Sequence, residues 1–352
     1  MSLINLTKFE AKHAVGMGGD GCWQVTVVVK ATYTWDPAGV SCPAPSLPIL
    51  TADEFAGDPA VSGLLRACEL TPAKPRVDVL LAGSLVFPKP IAEVEVELAI
   101  GTRLCKRARV FGDRVWLPGA LADLVPSRPH PVDRVPIAWE HSYGGADPED
   151  GKHNEPRNPA GSGVARNPRS LHGRPAPNFE SPDKPIGAVF GKPIPVGFGP
   201  IAPHWQPRVA LAGRYDEAWE KSRRPLLPAD FKPEFFNVAP ADQQLPAYQP
   251  GERVRLRNLT AAADESFVLP VLTVPVTMVS SGAMAEEVAL VDTLIIEPEE
   301  RRFSLLAKAQ ASLGDGPESL GSIVVGELTR GMRSALESGK QFCWERARGT
   351  SK

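Results

Sequence analysis

Glu93-Val94-Glu95-Val96-Glu97-Leu98-Ala99-Ile100 decides the fold. Val94, Val96, Leu98 and Ile100 alternate with Glu93, Glu95, Glu97 and Ala99. A period of two places the apolar set on one side of an extended chain and the carboxylates on the other. Ile91 to Ile100 is therefore a strand with one wet face, and its dry face needs a second layer. Similar runs lie on both sides. Cys22 to Trp35 is β-branched and aromatic and ends at Asp36-Pro37; Val77 to Phe87 is closed by Pro88. Lys106 to Leu117 reads as a hairpin turning at Gly112-Asp113, where glycine supplies the positive φ of a tight turn. Further strands are expected at Arg253-Leu259, Ser266-Val279 and Val288-Glu297, with a turn at Pro298-Glu299-Glu300 leading into Arg302-Ala309. Many short strands punctuated by Gly and Pro predict a mainly-β chain with a β-sandwich-like body. The tail differs. Leu328, Met332, Ala335 and Leu336 recur at helical spacing over Glu327 to Ser338, followed by Gly339 as a stop signal, so a short C-terminal helix is expected. The organisation is one β-rich domain over 1–310 and a tail over 311–352 with a helix near 327–338.

Inside that domain, 126–250 is a long Pro/Gly-rich irregular layer. It holds 23 of the 37 prolines, 12 of the 24 aromatic residues and 5 of the 6 histidines. Proline at this density removes backbone donors and forbids long helices and central strands. A disordered linker would be poor in large aromatics, yet Trp139, Trp205, Trp219, Phe231, Phe235 and Phe236 lie here. The layer is expected to be ordered and pinned by those rings. Arg208 to Tyr215 reads as a strand ending in a turn. Asp216 to Arg223 reads as one or two helical turns, with Asp216 as N-cap and Pro225 just past the end.

Composition excludes several classes. The chain has 352 residues, enough to bury roughly 75% of its unfolded surface without a metal or disulfide staple. Its net charge of -2 gives no reason to expect nucleic acid or an anionic membrane as partner. Cys22, Cys42, Cys68, Cys105 and Cys343 are odd in number, scattered and without a CxxC pair, which suits free thiols in a reducing compartment. The first residues lack the apolar core of a signal peptide, and no run of 18 apolar residues occurs, so the expected location is the cytoplasm.

Motifs that could carry chemistry are each matched by a plainer account. Gly16-Met17-Gly18-Gly19-Asp20-Gly21 resembles a phosphate cradle, but a strand follows it where a helix N-terminus is required, so it reads as a turn. His130, His141, His153, His172 and His204 share the layer with Glu140, Asp147, Asp150 and Glu155, but none shows paired-ligand spacing. Ser142 adjoins His141, and neighbours seldom face each other. Cys22 and Cys105 fall within expected strands, where burial would blunt a thiol. Asp216-Glu217 sit near Arg214, Arg223 and Arg224, as surface ion pairs do. No cofactor, metal or catalytic residue is expected. A hydrolase with an acid/His site in the layer is the alternative, and a structural piece of a larger assembly is a third option.

The densest pattern runs from Trp205 to Gln244. Trp205, Arg208, Tyr215, Asp216, Trp219, Pro225, Asp230, Phe231, Gln243 and Gln244 are the candidate partner-binding residues. Aromatic, Arg and Pro side chains anchor irregular loops and are also what interface cores favour. Both roles can hold for different members of the set.

An ordered series of motifs carries a family resemblance. It comprises Asp20-Gly21, Val27 to Tyr33, Thr71-Pro72-Ala73-Lys74-Pro75-Arg76-Val77-Asp78 with its continuation to Gly83, Val110 to Trp116, and Pro136 to Gly145. Asn158-Pro159-Ala160-Gly161, Pro177-Asn178-Phe179-Glu180 and the Trp205 to Gln244 series complete it. Over roughly Asp20 to Ala307 the chain resembles the bacterial domain of unknown function 2169, found with type VI secretion systems. Glu69 and His141 depart from that pattern, which has Asp and Arg. The resemblance implies a cytoplasmic, non-enzymatic adaptor or chaperone. Its implied partners are a type VI effector, including one with a PAAR-like N-terminus, and the VgrG spike.

Overall fold

A computed structural model describes residues 2–119, 124–187, 193–280, 283–314 and 316–338. The chain is mainly β. Two sheets dominate. The larger has ten strands among the described residues and runs Ser2–Asn5, Leu320–Val325, Val274–Ser280, Ala283–Glu297, Arg302–Ser312, Trp23–Trp35, Glu10–Met17, with Val77–Leu81, Gln244–Leu245 and Ser41–Ala44 attached beside it. Its first and last members are joined by the short link 6–9, so the sheet is nearly closed. The smaller sheet orders Phe179–Glu180, Leu104–Phe111, Glu93–Ile100, Arg253–Arg257 and Asp264–Val268.

Strand alternation builds the core between them. From Trp23–Trp35 the residues Val25, Val27, Val29, Ala31, Tyr33 and Trp35 face it, and Val96, Leu98 and Ile100 answer from the smaller sheet, as the period of two requires. Four rings clasp the sheets together. Trp35 stacks on Phe267 at 4.8 Å, Phe267 on Phe303 at 4.4 Å, and Tyr33 on Phe303 at 5.2 Å. Phe267 is the ring from the smaller sheet, held by Trp35 and Phe303, with Tyr33 stacked on Phe303 behind them.

The opposite side of the large sheet carries buried charge. Lys30, Lys308 and Asp78 lie on it or at its edge and are each matched. Lys30 Nζ meets Glu69 at 2.6 Å, and Glu69 also accepts the Leu50 N–H. Lys308 meets Asp292 at 3.1 Å and donates to Thr71 Oγ1 and Pro72 O. Asp292 is the extra residue of a bulge where the pairing with Arg302–Ser312 shifts register. Asp78 accepts from Lys74 Nζ, Asn237 Nδ2 and the Val238 N–H at 2.8, 3.0 and 2.8 Å. Such groups are tolerable inside only because nearly every lone pair and proton is used. Lys30, Glu69, Lys74 and Lys308 border a cavity of about 40 Å³, room for a few waters.

Several expectations fail for identifiable reasons. Lys106 to Leu117 is not a hairpin. Leu104–Phe111 pairs with Glu93–Ile100 and Phe179–Glu180, whereas Arg114–Pro118 pairs with Leu124–Pro126 and Pro175–Ala176. The chain changes sheets at Gly112-Asp113. Gly112 is needed there for space, because a Cβ would lie 1.9 Å from His130 O. Val77 to Phe87 divides at Gly83, whose φ of 87° turns the chain from Val77–Leu81 into Ser84–Ile91. Ser266 to Val279 divides around Pro270 into strands of different sheets, Asp264–Val268 and Val274–Ser280. Leu320–Val325, beyond residue 310, pairs with both Ser2–Asn5 and Val274–Ser280. The C-terminal helix α2 spans Arg330–Glu337, capped by Thr329, whose Oγ1 accepts from the Met332 N–H; Gly339 and Cys343 lie outside the described residues. Cys22 and Cys105 are exposed, not buried. The charge of Asp20, more than any burial, pushes the Cys22 thiol up.

Two outcomes follow from this packing. Phe267→Ala removes the ring held between the sheets and is expected to cost about 3–5 kcal/mol in urea unfolding. Burial acts to raise the Glu297 carboxyl, but the hydrogen bond and charge of Arg302, with Arg66 and Lys30, outweigh it and hold the group below its usual range. That stabilisation is present above the ordinary carboxylate range and drains as pH falls through the lowered folded value. Glu297→Gln should therefore flatten the acid limb of a stability–pH curve.

Candidate functional site

The described part of the irregular layer is ordered as its composition requires. Its longest strand is the five-residue Val132–Pro136, and its α-helix is the six-residue α1 (Glu217–Ser222), among the described residues. Trp139 and Trp205 meet edge to face at 6.3 Å in a small core with Leu64, Ile201 and Ala202. Lys106 fixes the layer from the other side. Its ammonium donates to Gly197 O at 2.6 Å and Gln243 Oε1 at 2.7 Å, and meets Asp242 at 3.0 Å. Burial lowers the Lys106 pKa, and Asp242 opposes that shift.

From this base the chain makes an excursion over residues 209–236. Arg208 to Tyr215 does not form a strand. Arg208–Leu211 is a 3-10 turn, and Gly213 then takes a φ of 78°. The cause is the Arg208 guanidinium. It is buried, donates to Ile201 O at 2.6 Å and Phe235 O at 3.1 Å, and lies 4.9 Å from the Phe235 ring centroid. The chain must wrap around it and finds no neighbouring strand. Burial pushes the Arg208 pKa down to about 10. The excursion closes where Lys232 N–H donates to Leu211 O at 2.9 Å. Asp230 accepts from the Arg214 N–H and Nε at 3.0 and 3.1 Å, and these bonds hold its carboxyl below the usual range. Gly213 fits only without a side chain, since a Cβ would lie 2.7 Å from Pro228. Asp216 caps α1 as expected, accepting the Trp219 N–H at 2.9 Å.

The excursion faces the Gly-rich turn across an open groove of about 660 Å³. One wall is Ala14 to Asp20. The other is Arg223, Leu227 to Ala229, Phe231, Pro233 and Phe236. Leu70 to Ala73 and a polar row of Gln24, Thr26 and Gln310 complete the lining, with Gln310 Nε2 donating to Thr26 Oγ1 at 2.9 Å. The Gly16–Gly21 stretch is the hairpin turn its sequence indicates: Gly18 N–H donates to Cys22 O and Gly21 N–H to Gly18 O. Arg223 Nη2 bridges the walls by donating to Gly19 O at 2.6 Å. Phe231, Phe235 and Phe236 pack with centroids 5.6–5.9 Å apart and carry the Arg208 anchor to the groove.

The ten candidate residues therefore divide. Trp205, Arg208 and Gln243 are buried anchors; Gln243 is fully enclosed, donating to Val79 O and Phe198 O. Gln244 is half-buried and pairs with Asp78 in the sheet. Tyr215, Asp216, Pro225 and Asp230 are exposed on the excursion, where Tyr215 meets the half-buried Trp219 edge to face at 4.7 Å. Phe231 alone of the ten lines the groove. Met17, Leu70 to Ala73 and Gln310 were missed by sequence reasoning, because they adjoin the excursion only in three dimensions. Glycine density at the turn was the one available signal.

The layer's histidines and carboxylates are dispersed. His141 Nδ1 contacts Asn178 Oδ1, His204 sits beside Trp205 and Phe55, and buried Ser142 donates to Val196 O. Among the described residues no group of three or more His, Cys, Asp or Glu has metal-holding geometry. Arg208→Lys keeps the charge but loses the guanidinium fork, and should cost about 2 kcal/mol in urea unfolding while speeding proteolysis within 209–236.

Residues 20–308 match a family described as an uncharacterized protein conserved in bacteria, DUF2169. No curated protein and no solved structure matches the chain. The family match takes in the strand Trp23–Trp35, the whole proline-rich layer with its excursion, and most of the strand Arg302–Ser312. On that extent, the chain belongs to the bacterial family DUF2169.

Proposed function

We propose that this chain is a non-enzymatic adaptor, or chaperone, that holds a type VI secretion effector and assists its loading onto the VgrG/PAAR spike. The observation that carries this reading is the open groove, walled by Leu227, Pro228, Phe231, Pro233 and Phe236 against a glycine-rich turn. Phe and Pro side chains offer apolar contact at little cost in lost rotamer freedom. The wall is fixed beforehand by the Arg208 anchor and the Leu211–Lys232 closure, so little ordering remains to oppose binding. An effector that exposes an apolar segment before secretion would be stabilised by mass action while bound. Exposed Tyr215, edge to face with the half-buried Trp219, extends the same side chemistry beyond the groove. No helix among the described residues is long and apolar enough to cross a membrane. The proposed place of action is the bacterial cytoplasm, where effector and spike meet.

Co-expression with the effector encoded by a neighbouring gene tests the reading. The two chains should co-purify, and the effector should lose solubility without this protein. Ala229 is exposed on the groove wall. Ala229→Glu places an unpaired charge there and should weaken the complex roughly tenfold or more, with an unchanged urea midpoint. An effector that elutes alone, or binds Ala229→Glu as well as wild type, refutes the assignment.

A further inference from the structure

The wall of the groove that carries the glycine turn is also the end of an outer strand. Glu10–Met17 is last in the large sheet and pairs on one side with Trp23–Trp35, in unbroken register from Glu10 opposite Lys30 to Met17 opposite Trp23. Among the described residues no strand pairs with its other side. Two hydrogen bonds at the end of the ladder fix which groups face that side. Leu313 N–H donates to Trp23 O at 2.7 Å, so Trp23 turns its backbone groups toward Arg302–Ser312. Gln24 and Thr26, in the alternate phase, turn theirs toward Glu10–Met17. Gly18 N–H, donating to Cys22 O at 2.9 Å, keeps that phase. Gly16 and Ala14 therefore bond to Gln24 and Thr26, while Ala11, His13, Val15 and Met17 turn their N–H and C=O groups outward.

A row of free amides and carbonyls is a template for another chain, and folded proteins blunt such edges. The other outer strands of the two main sheets are blunted. Phe179–Glu180 and Gln244–Leu245 have two residues each, and Ser2–Asn5 has four. Ser41–Ala44 contains Pro43. On Asp264–Val268, the Val268 N–H donates to Gly39 O and its carbonyl accepts from Ser41 Oγ. Glu10–Met17 has eight residues, no proline and no bulge. Ser2–Asn5 is too short to screen more than half of it. The half toward Met17 borders the groove. Val15 packs its side chain on the core, so what it offers the groove is backbone. Ala14 and Gly16 are small and leave room above the sheet beside Phe231 and Phe236.

We propose, resting on the adaptor reading of the groove, that its partner enters as an extended polypeptide segment and adds a strand to the edge of Glu10–Met17 through the N–H and C=O groups of Val15 and Met17. Only an extended chain repeats donor and acceptor at the spacing this edge presents; a helix has already spent its own amides and would leave the edge to water. Backbone pairing supplies affinity, and every second side chain of the segment lies against the wall of Phe231 and Phe236, so the segment is apolar at alternate positions.

Amide hydrogen exchange, read residue by residue on the full chain alone and in the complex co-purified with the neighbouring gene's effector, tests the edge. In the free chain the Ala14 and Gly16 amides should exchange at least about tenfold more slowly than those of Val15 and Met17. In the complex the Val15 and Met17 amides should slow by about tenfold or more. A complex in which those two exchange as in the free chain overturns the edge and leaves the adaptor reading standing; absence of any complex overturns both. Met17→Pro removes the outward N–H and should weaken the complex about tenfold or more, whereas Met17→Ala, which keeps it, should weaken it less than about threefold. Equal affinity of the two variants also overturns the edge, and the exchange measurement carries the test if Met17→Pro does not fold.

Discussion

The Asp78 carboxylate is where the regular and irregular halves of the molecule are joined. It sits on the strand Val77–Leu81, wholly buried, and both its oxygens are used. Lys74 neutralises it from four residues upstream, while Asn237 Nδ2 and the Val238 N–H reach it from the end of the excursion. A proline-rich segment has few amide donors to lend to a ladder, so side chains must dock it. A buried carboxylate is a demanding dock, tolerable only when the incoming chain supplies the right donors in the right place. The layer thereby acquires one position against the sheet, where apolar contact alone would allow several.

The same logic is repeated around the layer. Lys106 gathers Gly197, Asp242 and Gln243; Arg208 gathers Ile201 and Phe235; Arg114 gathers Glu180 and the Pro177 carbonyl. Each is a buried cation bound mainly by oxygens of a segment that forms only short strands. Together they make an irregular surface stiff. The groove depends on that stiffness, because its excursion wall is tied to the opposite turn by the Arg223 hydrogen bond and is positioned from behind by Arg208 and the three phenylalanines.

Regular structure was legible where periodicity and punctuation agree. Glu93–Ile100 and Trp23–Trp35 lie where alternation and composition place them, and Asp216 caps α1 as a side chain of its type at that position should. The misreadings share a cause. Gly112-Asp113 looks like a hairpin turn, and Arg208–Tyr215 like a strand, when only nearest neighbours are considered. Gly112 is in fact cleared for His130 O, and Arg208 is turned inward by two carbonyls that lie 7 and 27 residues away along the chain.

The sequence by itself determined a two-sheet β body, an ordered proline-rich layer and the family, since these rest on local alternation, on rings that an unburied segment would not keep, and on an ordered series of motifs. Tertiary structure alone decided which Trp, Arg and Gln residues of the Trp205–Gln244 stretch are anchors and which are surface. It also decided that a glycine turn at residue 18 would face Phe231. The physical reason is the reach of the interactions. Alternation and capping act within a few residues, whereas satisfying a buried charge such as Asp78 recruits partners some 160 residues away, at no fixed sequence spacing.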